Sequence, residues 1–472
     1  MILLIAAALL LILVIMDIFK WVRITGPVPM IIWLPFAVNL PLLVWLIIER
    51  FGSGSYVLLG VLLVETFYIW LHLNIFPVLD GRKTGTRLKA LAGARPLLYC
   101  HIYIVTFQVI FLPVSFFPLH EHGTPDVLLT VNIFYSLGCC VILFLNGILR
   151  AFICSRRLGI LRRILIFLTL WIPVISWVMW ILTARIIKQE YLYGYERLQW
   201  ERTITESDRC QTKYPILMLH GIAFRDMRFY NYWGRIPRYL KRFGADVHYG
   251  NQEAFGTIEQ NGADIKERIE QILAETGAEK VNIIAHSKGG LDARYAITTL
   301  GMADKVASLT TMNSPHHGCR FADSATKVWA PAYRLLTRIF NWTFTRYGDK
   351  HADFLTATMQ FRTDLSKKFN EDCPDAPGVY YQSYTSVMQK SSSDPLLSIP
   401  YHFIRKLGEE NDGLVSVSSA QWGVFKGVFR NEKHKRGISH GDIIDLKRED
   451  YKGFNVLDAY VGIVSELKAE EF

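Results

Sequence analysis

Residues 276–295 read TGAEKVNIIAHSKGGLDARY, and within them VNIIA followed by HSKGG decides the fold. An apolar run ends abruptly on a polar turn of small residues, and residues 291–300 resume with helical spacing. A strand, a tight turn and a helix are what a small-x-Ser-x-Gly elbow requires. The turn must pass close to its neighbours and lift a hydroxyl clear of the sheet. Ala285 stands at the first small position, where Gly is more usual. Ser287 is the candidate nucleophile. A connection without chemistry is the alternative that a five-residue pattern leaves open.

The flanking sequence supports the elbow. Upstream, YPILML at 214–219 reads as a buried strand that ends on His220-Gly221. A helix is expected over 231–243 and a strand over 245–249. Residues 262–276 carry Ile265, Ile269, Ile272 and Leu273 at helical spacing, with Gly277 as the stop. Downstream, 306–312 is a third apolar run. Strands alternating with helices predict a parallel sheet covered on both faces. An acyl-transfer site also needs two N–H donors for the developing oxyanion. The residue after the nucleophile, Lys288, supplies one, and Ile222 after the first strand is placed to supply the other. Asp412 lies at an Asn-Asp-Gly turn and His440 in Ser-His-Gly-Asp, so Ser287, Asp412 and His440 follow the α/β-hydrolase order. His316, His317 and His434 compete for the role of base, and pattern alone favours His440 only modestly.

Several stretches now fall into one order: HGI at 220–222, the 276–295 stretch, NSPHHGCRFAD at 313–323, SDP at 393–395, NDGLVSVSSAQWG at 411–423 and SHGDIID at 439–445. Together they resemble the secreted, calcium-dependent true triacylglycerol lipases of bacteria (family I). The resemblance implies Ser287, Asp412 and His440 as a catalytic triad. It also implies a structural calcium ion (Ca2+) held by the carboxylates of Asp394 and Asp442, with no organic cofactor. There are departures from the pattern. Lys288 replaces a common Gln, adding a charge near the site, and Ser418 replaces a cysteine of some members. Cys210, Cys319 and Cys373 allow at most one bridge in this half.

The insertion after NSPHHG, about 324–360, is where that family carries a helical lid. Pro331 suits a first helical turn, and Tyr333, Leu336 and Phe340 then share one face, with Trp329 beside it. These four residues are the expected lipid contacts.

The remaining sequence is of another kind. The chain has 472 residues, 51% of them apolar, and a formal charge of +10. Residues 1–200 hold 16 basic and 8 acidic side chains, whereas 201–472 hold 36 and 34. The excess therefore lies in the apolar half, which argues against a nucleic-acid surface. A membrane span takes about 20 mostly apolar residues. Six stretches qualify: 2–19, 30–48, 56–76, 97–119, 127–149 and 164–187. Their first, third and fifth connecting loops contain twelve Lys and Arg, and the second and fourth only Arg50. This bias puts the odd loops in the cytoplasm and everything after residue 190 outside. Glu65, His72, His101 and Gln108 lie within spans, where interhelical hydrogen bonding is their simplest use.

The expected architecture is a polytopic α-helical membrane domain of about six helices (1–190) and a juxtamembrane linker (191–213). An α/β-hydrolase domain (214–472) with a mostly parallel sheet and a helical lid follows. The expected protein is a multi-pass cell-membrane serine lipase or esterase with an extracytoplasmic catalytic domain. It would act on acylglycerols or membrane lipids at the bilayer and bind no nucleic acid. Two alternatives are an acyltransferase using the same residues and a membrane receptor or transporter with a relict hydrolase domain.

Overall fold

A computed structural model describes residues 27–76, 84–203, 208–224, 231–328, 330–431 and 434–472. The chain forms two compact units, Met1–Thr203 and Ile204–Phe472. The first is helical. Tyr56–Ile75, Thr86–Glu121 and Asp126–Cys154 are each long and apolar enough to cross a membrane.

Two of the six expected spans look different, and residues 2–19 lie outside the described residues. Residues 30–48 form not one helix but two, Pro27–Val38 and Leu40–Phe51, bent by 86°. Pro41 has no N–H to continue the first helix, and its ring would collide with the carbonyl four residues back. The helix Asp126–Cys154 meets the groups freed at this break. Asn132 Nδ2 donates to Asn39 Oδ1 (2.8 Å) and Ser136 Oγ donates to Val38 O (2.7 Å). Residues 164–187 are divided between Ile160–Thr169 and Pro173–Thr203, with Pro173 opening the second helix. That helix runs through half of the segment read as a linker. Among the described residues, three helices thus meet the length and apolarity of a span, or up to four if the bent pair is one span. Within this unit His101 Nδ1 lies 2.9 Å from Cys140 O, and Gln108 Nε2 donates to Ser136 Oγ at 3.3 Å.

The second unit is built on six strands: β1 (Ile216–Leu219), β2 (Val247–Tyr249), β3 (Val281–His286), β4 (Val306–Met312), β5 (Tyr380–Ser386) and β6 (Val424–Phe429). All are parallel, in the order β2-β1-β3-β4-β5-β6. Helices cover both faces of such a sheet, so β1, β3 and β4 are buried throughout; β1 (ILML) is a continuous apolar run for that reason, while β3 and β4 bury Asn282, Ser308, Thr310 and Thr311 among their apolar residues. Ile265, Ile269 and Ile272 of helix Ile258–Thr276 are fully buried with Leu217, Ile283, Ala293 and Ile297. Each such isoleucine or leucine contributes about 1.5–3 kcal/mol. This helix starts four residues before the expected position, because Thr257 and Gln260 cap it reciprocally, and Gly277 ends it at φ 72°.

The strand order sets the position of the site. The chain runs from β1 outward to β2, then returns to place β3 on the other side of β1. Loops after β1 and β3 therefore diverge at neighbouring strand ends, leaving a crevice where ligands bind in open parallel sheets.

Candidate active site

Ser287 stands at that crevice, between β3 and helix Lys288–Thr298, with φ 53° and ψ −127°. A non-glycine residue in this region is strained. The chain accepts the strain because the helix is packed hard against β1. A Cβ on Gly289 would sit 2.6 Å from His220 O and 2.8 Å from Leu219 O. Ser287 N donates to Met312 O at 3.0 Å, tying the turn to the end of β4. The first N–H groups of a helix have no intrahelical acceptors, so the Lys288 N–H is available to a ligand. The turn after β1 reaches the same point: a Cβ on Gly221 would lie 2.9 Å from Ser287 Cβ. Ile222 follows immediately.

Asp412 and His440 come together. His440 Nδ1 is 2.6 Å from Asp412 Oδ2, and His440 N donates to Asp412 O at 2.9 Å. A carboxylate accepts, so Nδ1 carries the proton and Nε2 keeps its lone pair. Asp412 is wholly buried, with Oδ1 accepting from Leu414 N (2.8 Å) and Val415 N (2.7 Å). The rival histidines have other uses. His316 is buried with Nε2 3.1 Å from Thr311 Oγ1, and both His316 and His317 pack on Trp422. The ring of His434 packs on Gly453, where a Cβ would lie 2.7 Å from its Cδ2.

Sequence reading assigned no role to three further residues here. His286 is fully buried, its ring 4.4 Å from that of His440, and Nδ1 lies 2.6 Å from Tyr232 Oη. Burial drives the pKa of its imidazole well below the ordinary value. Asn313, at φ 50°, directs Nδ2 to Asp412 Oδ2 and to Ser386 Oγ. An Asn directly after an apolar strand is a signal for such a left-handed position.

Lys288 does not present its charge to the site. Its side chain is 1% exposed, with Nζ 2.5 Å from Asp292 Oδ1, and Asn261 Nδ2 donates to Asp292 Oδ2 at 3.0 Å. Burial lowers the lysine's pKa and raises that of Asp292, while their mutual attraction opposes both.

Asp394 and Asp442 are brought to one place, but each already holds a cation. Lys447 Nζ is 2.7 Å from Asp394 Oδ2, and Arg436 Nη2 is 3.0 Å from Asp442 Oδ1. Among the described residues no cluster of three or more His, Cys, Asp or Glu is arranged to hold a metal. Calcium needs six to eight oxygen ligands. Two carboxylates neutralised by an ammonium and a guanidinium do not fit that need. Every cysteine is a free thiol.

The expected lid segment forms helices Arg320–Val328, Ala330–Arg346 and Phe354–Met359. Trp329 lies outside the described residues, as does the side chain of Tyr333. Leu336 is exposed, but Phe340 is turned inward, its ring 5.5 Å from Phe255 and 5.0 Å from Phe354. The exposed apolar face is instead Leu335, Leu336, Ile339 and Trp342. A helix face follows from what its neighbours cover, and Phe255 claims Phe340.

Residues 214–393 match the family described as alpha/beta hydrolase fold. The C-terminal unit is an α/β-hydrolase domain. Its relatives include triacylglycerol lipase 2 of Saccharomyces cerevisiae, 27% identical over 51% of this chain and 74% of that protein. A triacylglycerol lipase of Pseudomonas fragi is 26% identical over 55% of this chain and 98% of its own length. One of Pseudarthrobacter phenanthrenivorans is 31% identical over 35% of this chain, which spans about half of that relative (55%). Fold and relatives together make the hydrolase domain a carboxylic ester hydrolase.

Proposed function

We propose that this chain is a membrane-anchored serine lipase or esterase that cleaves acyl esters of acylglycerols or membrane lipids. The contact of His440 Nδ1 with Asp412 Oδ2 at 2.6 Å carries the reading, because it leaves Nε2 as a base on a ring that packs 4.4 Å from that of His286, the residue before Ser287. His440 takes the Ser287 proton as Oγ attacks the ester carbonyl. The N–H groups of Lys288 and Ile222 hold the oxyanion. His440 then returns the proton to the departing alcohol, leaving an acyl-enzyme. Water, deprotonated by His440, releases the acid and restores Ser287.

The triacylglycerol lipases among the relatives support a lipid substrate, and the three apolar helices support membrane attachment. If all six apolar stretches cross, the loop charge bias supports an extracytoplasmic hydrolase domain, and a reporter fused to the C-terminus that reads cytoplasmic would overturn that count. The exposed Leu335–Trp342 face suits a lid that opens into lipid. A fluorophosphonate probe should label the wild-type chain in membranes and not Ser287→Ala, and lipid profiling of the two should show the ester consumed. Equal labelling of both chains, or none of either, would overturn the assignment of Ser287.

A further inference from the structure

The two carboxylates expected to bind calcium flank the loop that carries His440, and the loop is already held by ion pairs. Ser439, next to His440, links them: its Oγ donates to Asp394 Oδ2 (3.1 Å) and its N–H to Asp442 Oδ2 (3.1 Å). Asp394 and Asp442 are buried, with side chains 5% and 2% exposed. Lys447 holds the first and Arg436 the second, and Arg436 also reaches Glu449 at 3.3 Å and lies 3.8 Å over the Tyr451 ring. Further along, Arg235 grips both oxygens of Asp445 at 2.6 Å and Asp450 at 2.9 Å. Arg436 and Arg235 thus hold the segment from Ser439 to Asp450 at four of its carboxylates, and Lys447 within it binds Asp394.

We infer that Lys447 and Arg436 take the place of a structural cation, so that the His440 loop is positioned without calcium. Nζ of Lys447 occupies an oxygen that a metal would need. A divalent ion added to two carboxylates already neutralised would bring uncompensated charge into a nearly dry site. Lys447 and Arg436 are positioning residues: they act on Ser439 and through it on His440. The inference rests on the proposed role of His440.

The test uses the full chain in detergent or nanodiscs, freed of metal by chelation, with hydrolysis of a short soluble ester, melting temperature and fluorophosphonate labelling each measured with a chelator and with millimolar calcium chloride. The wild type should turn over, melt and label identically in both. Lys447→Ala should lose several-fold in kcat with little change in KM under chelator, and calcium should restore it, because Asp394 is left without its ammonium and can take the ion in its place. Lys447→Arg should behave as wild type. A merely structural lesion would not respond to calcium. The inference falls if chelation lowers wild-type turnover and melting temperature and calcium restores them. It also falls if Lys447→Ala is as active as wild type under chelator, or if calcium does not rescue it. Absence of labelling in every condition would overturn the role of Ser287, while the melting response would still report whether the wild type binds calcium.

Discussion

Asn313 and His440 share one oxygen atom: both direct a ring or amide nitrogen to Oδ2 of Asp412, at the buried end of the sheet. Asn313 follows directly on Met312, whose carbonyl accepts the Ser287 N–H. The end of β4 therefore holds both the nucleophile turn and the acid.

Removing that amide should disturb the chemistry more than substrate binding. Hydrogen bonds to charged groups are worth about 1.5–3 kcal/mol. Asn313→Ala should lower kcat about tenfold or more, in keeping with that energy, with KM nearly unchanged on a short ester. An unchanged kcat would show that Leu414 N and Val415 N alone position Asp412.

The buried Lys288–Asp292 pair predicts a non-additive cycle. Breaking a buried pair on one side costs about 3–5 kcal/mol, whereas replacing both partners by apolar groups is often neutral. Lys288→Met and Asp292→Leu should each lower the melting temperature markedly, and the double variant should recover most of the loss. Simple additivity would contradict the pairing.

Stability should fall in acid through buried histidines. His286 and His316 are held well below the ordinary histidine pKa by burial. Below about pH 6.5 the unfolded chain binds protons there that the folded chain does not, so stability is complete above that pH and is lost as pH falls. Each group contributes a slope of about 1.4 kcal/mol per pH unit. Melting between pH 5 and pH 7 should show the decline, and His316→Gln should flatten it. An unchanged slope in His316→Gln would mean that His316 is not held neutral.

The exposed face of helix Ala330–Arg346 gives a substrate-dependent prediction. Ser at Leu335, Ile339 and Trp342 should reduce hydrolysis of vesicle or micellar lipid while sparing a short soluble ester. Phe340→Ser should impair both, because Phe340 packs on Phe255 and Phe354. Equal losses for both substrates in the Leu335, Ile339 and Trp342 variants would count against a lipid-contacting lid.

The apolar strands and the elbow were legible in the sequence because burial on both faces leaves a continuous run of apolar residues. Strands β1 and β3 carry that signal most clearly, and the helix between them carries its own at helical spacing. Strand β5, YYQSYTS, does not: Gln382, Ser383, Thr385 and Ser386 are buried as polar residues, with Gln382 Nε2 bonded to Thr310 Oγ1 and Ser383 Oγ to Trp422 O. Periodicity has no account of a polar strand whose partners lie 39 and 72 residues away in the chain. The same limit applies at residues 30–48, where hydropathy registers a span and the break at Asn39 is satisfied by another helix.

By itself the sequence determined that an apolar helical half precedes an α/β-hydrolase, and that Ser287 sits on its elbow. Composition and short-range pattern are enough for that. Which histidine meets Asp412, where the Lys288 charge goes, which side of the lid helix is bare and what stands beside Asp394 and Asp442 were decided only by tertiary structure. Each depends on a side chain from a distant segment: Asp412 on Asn313, Lys288 on Asn261 through Asp292, Phe340 on Phe255, and Asp394 on Lys447. Charge in a sequence carries a sign but no partner, and the partner decides whether two carboxylates hold a metal or a lysine.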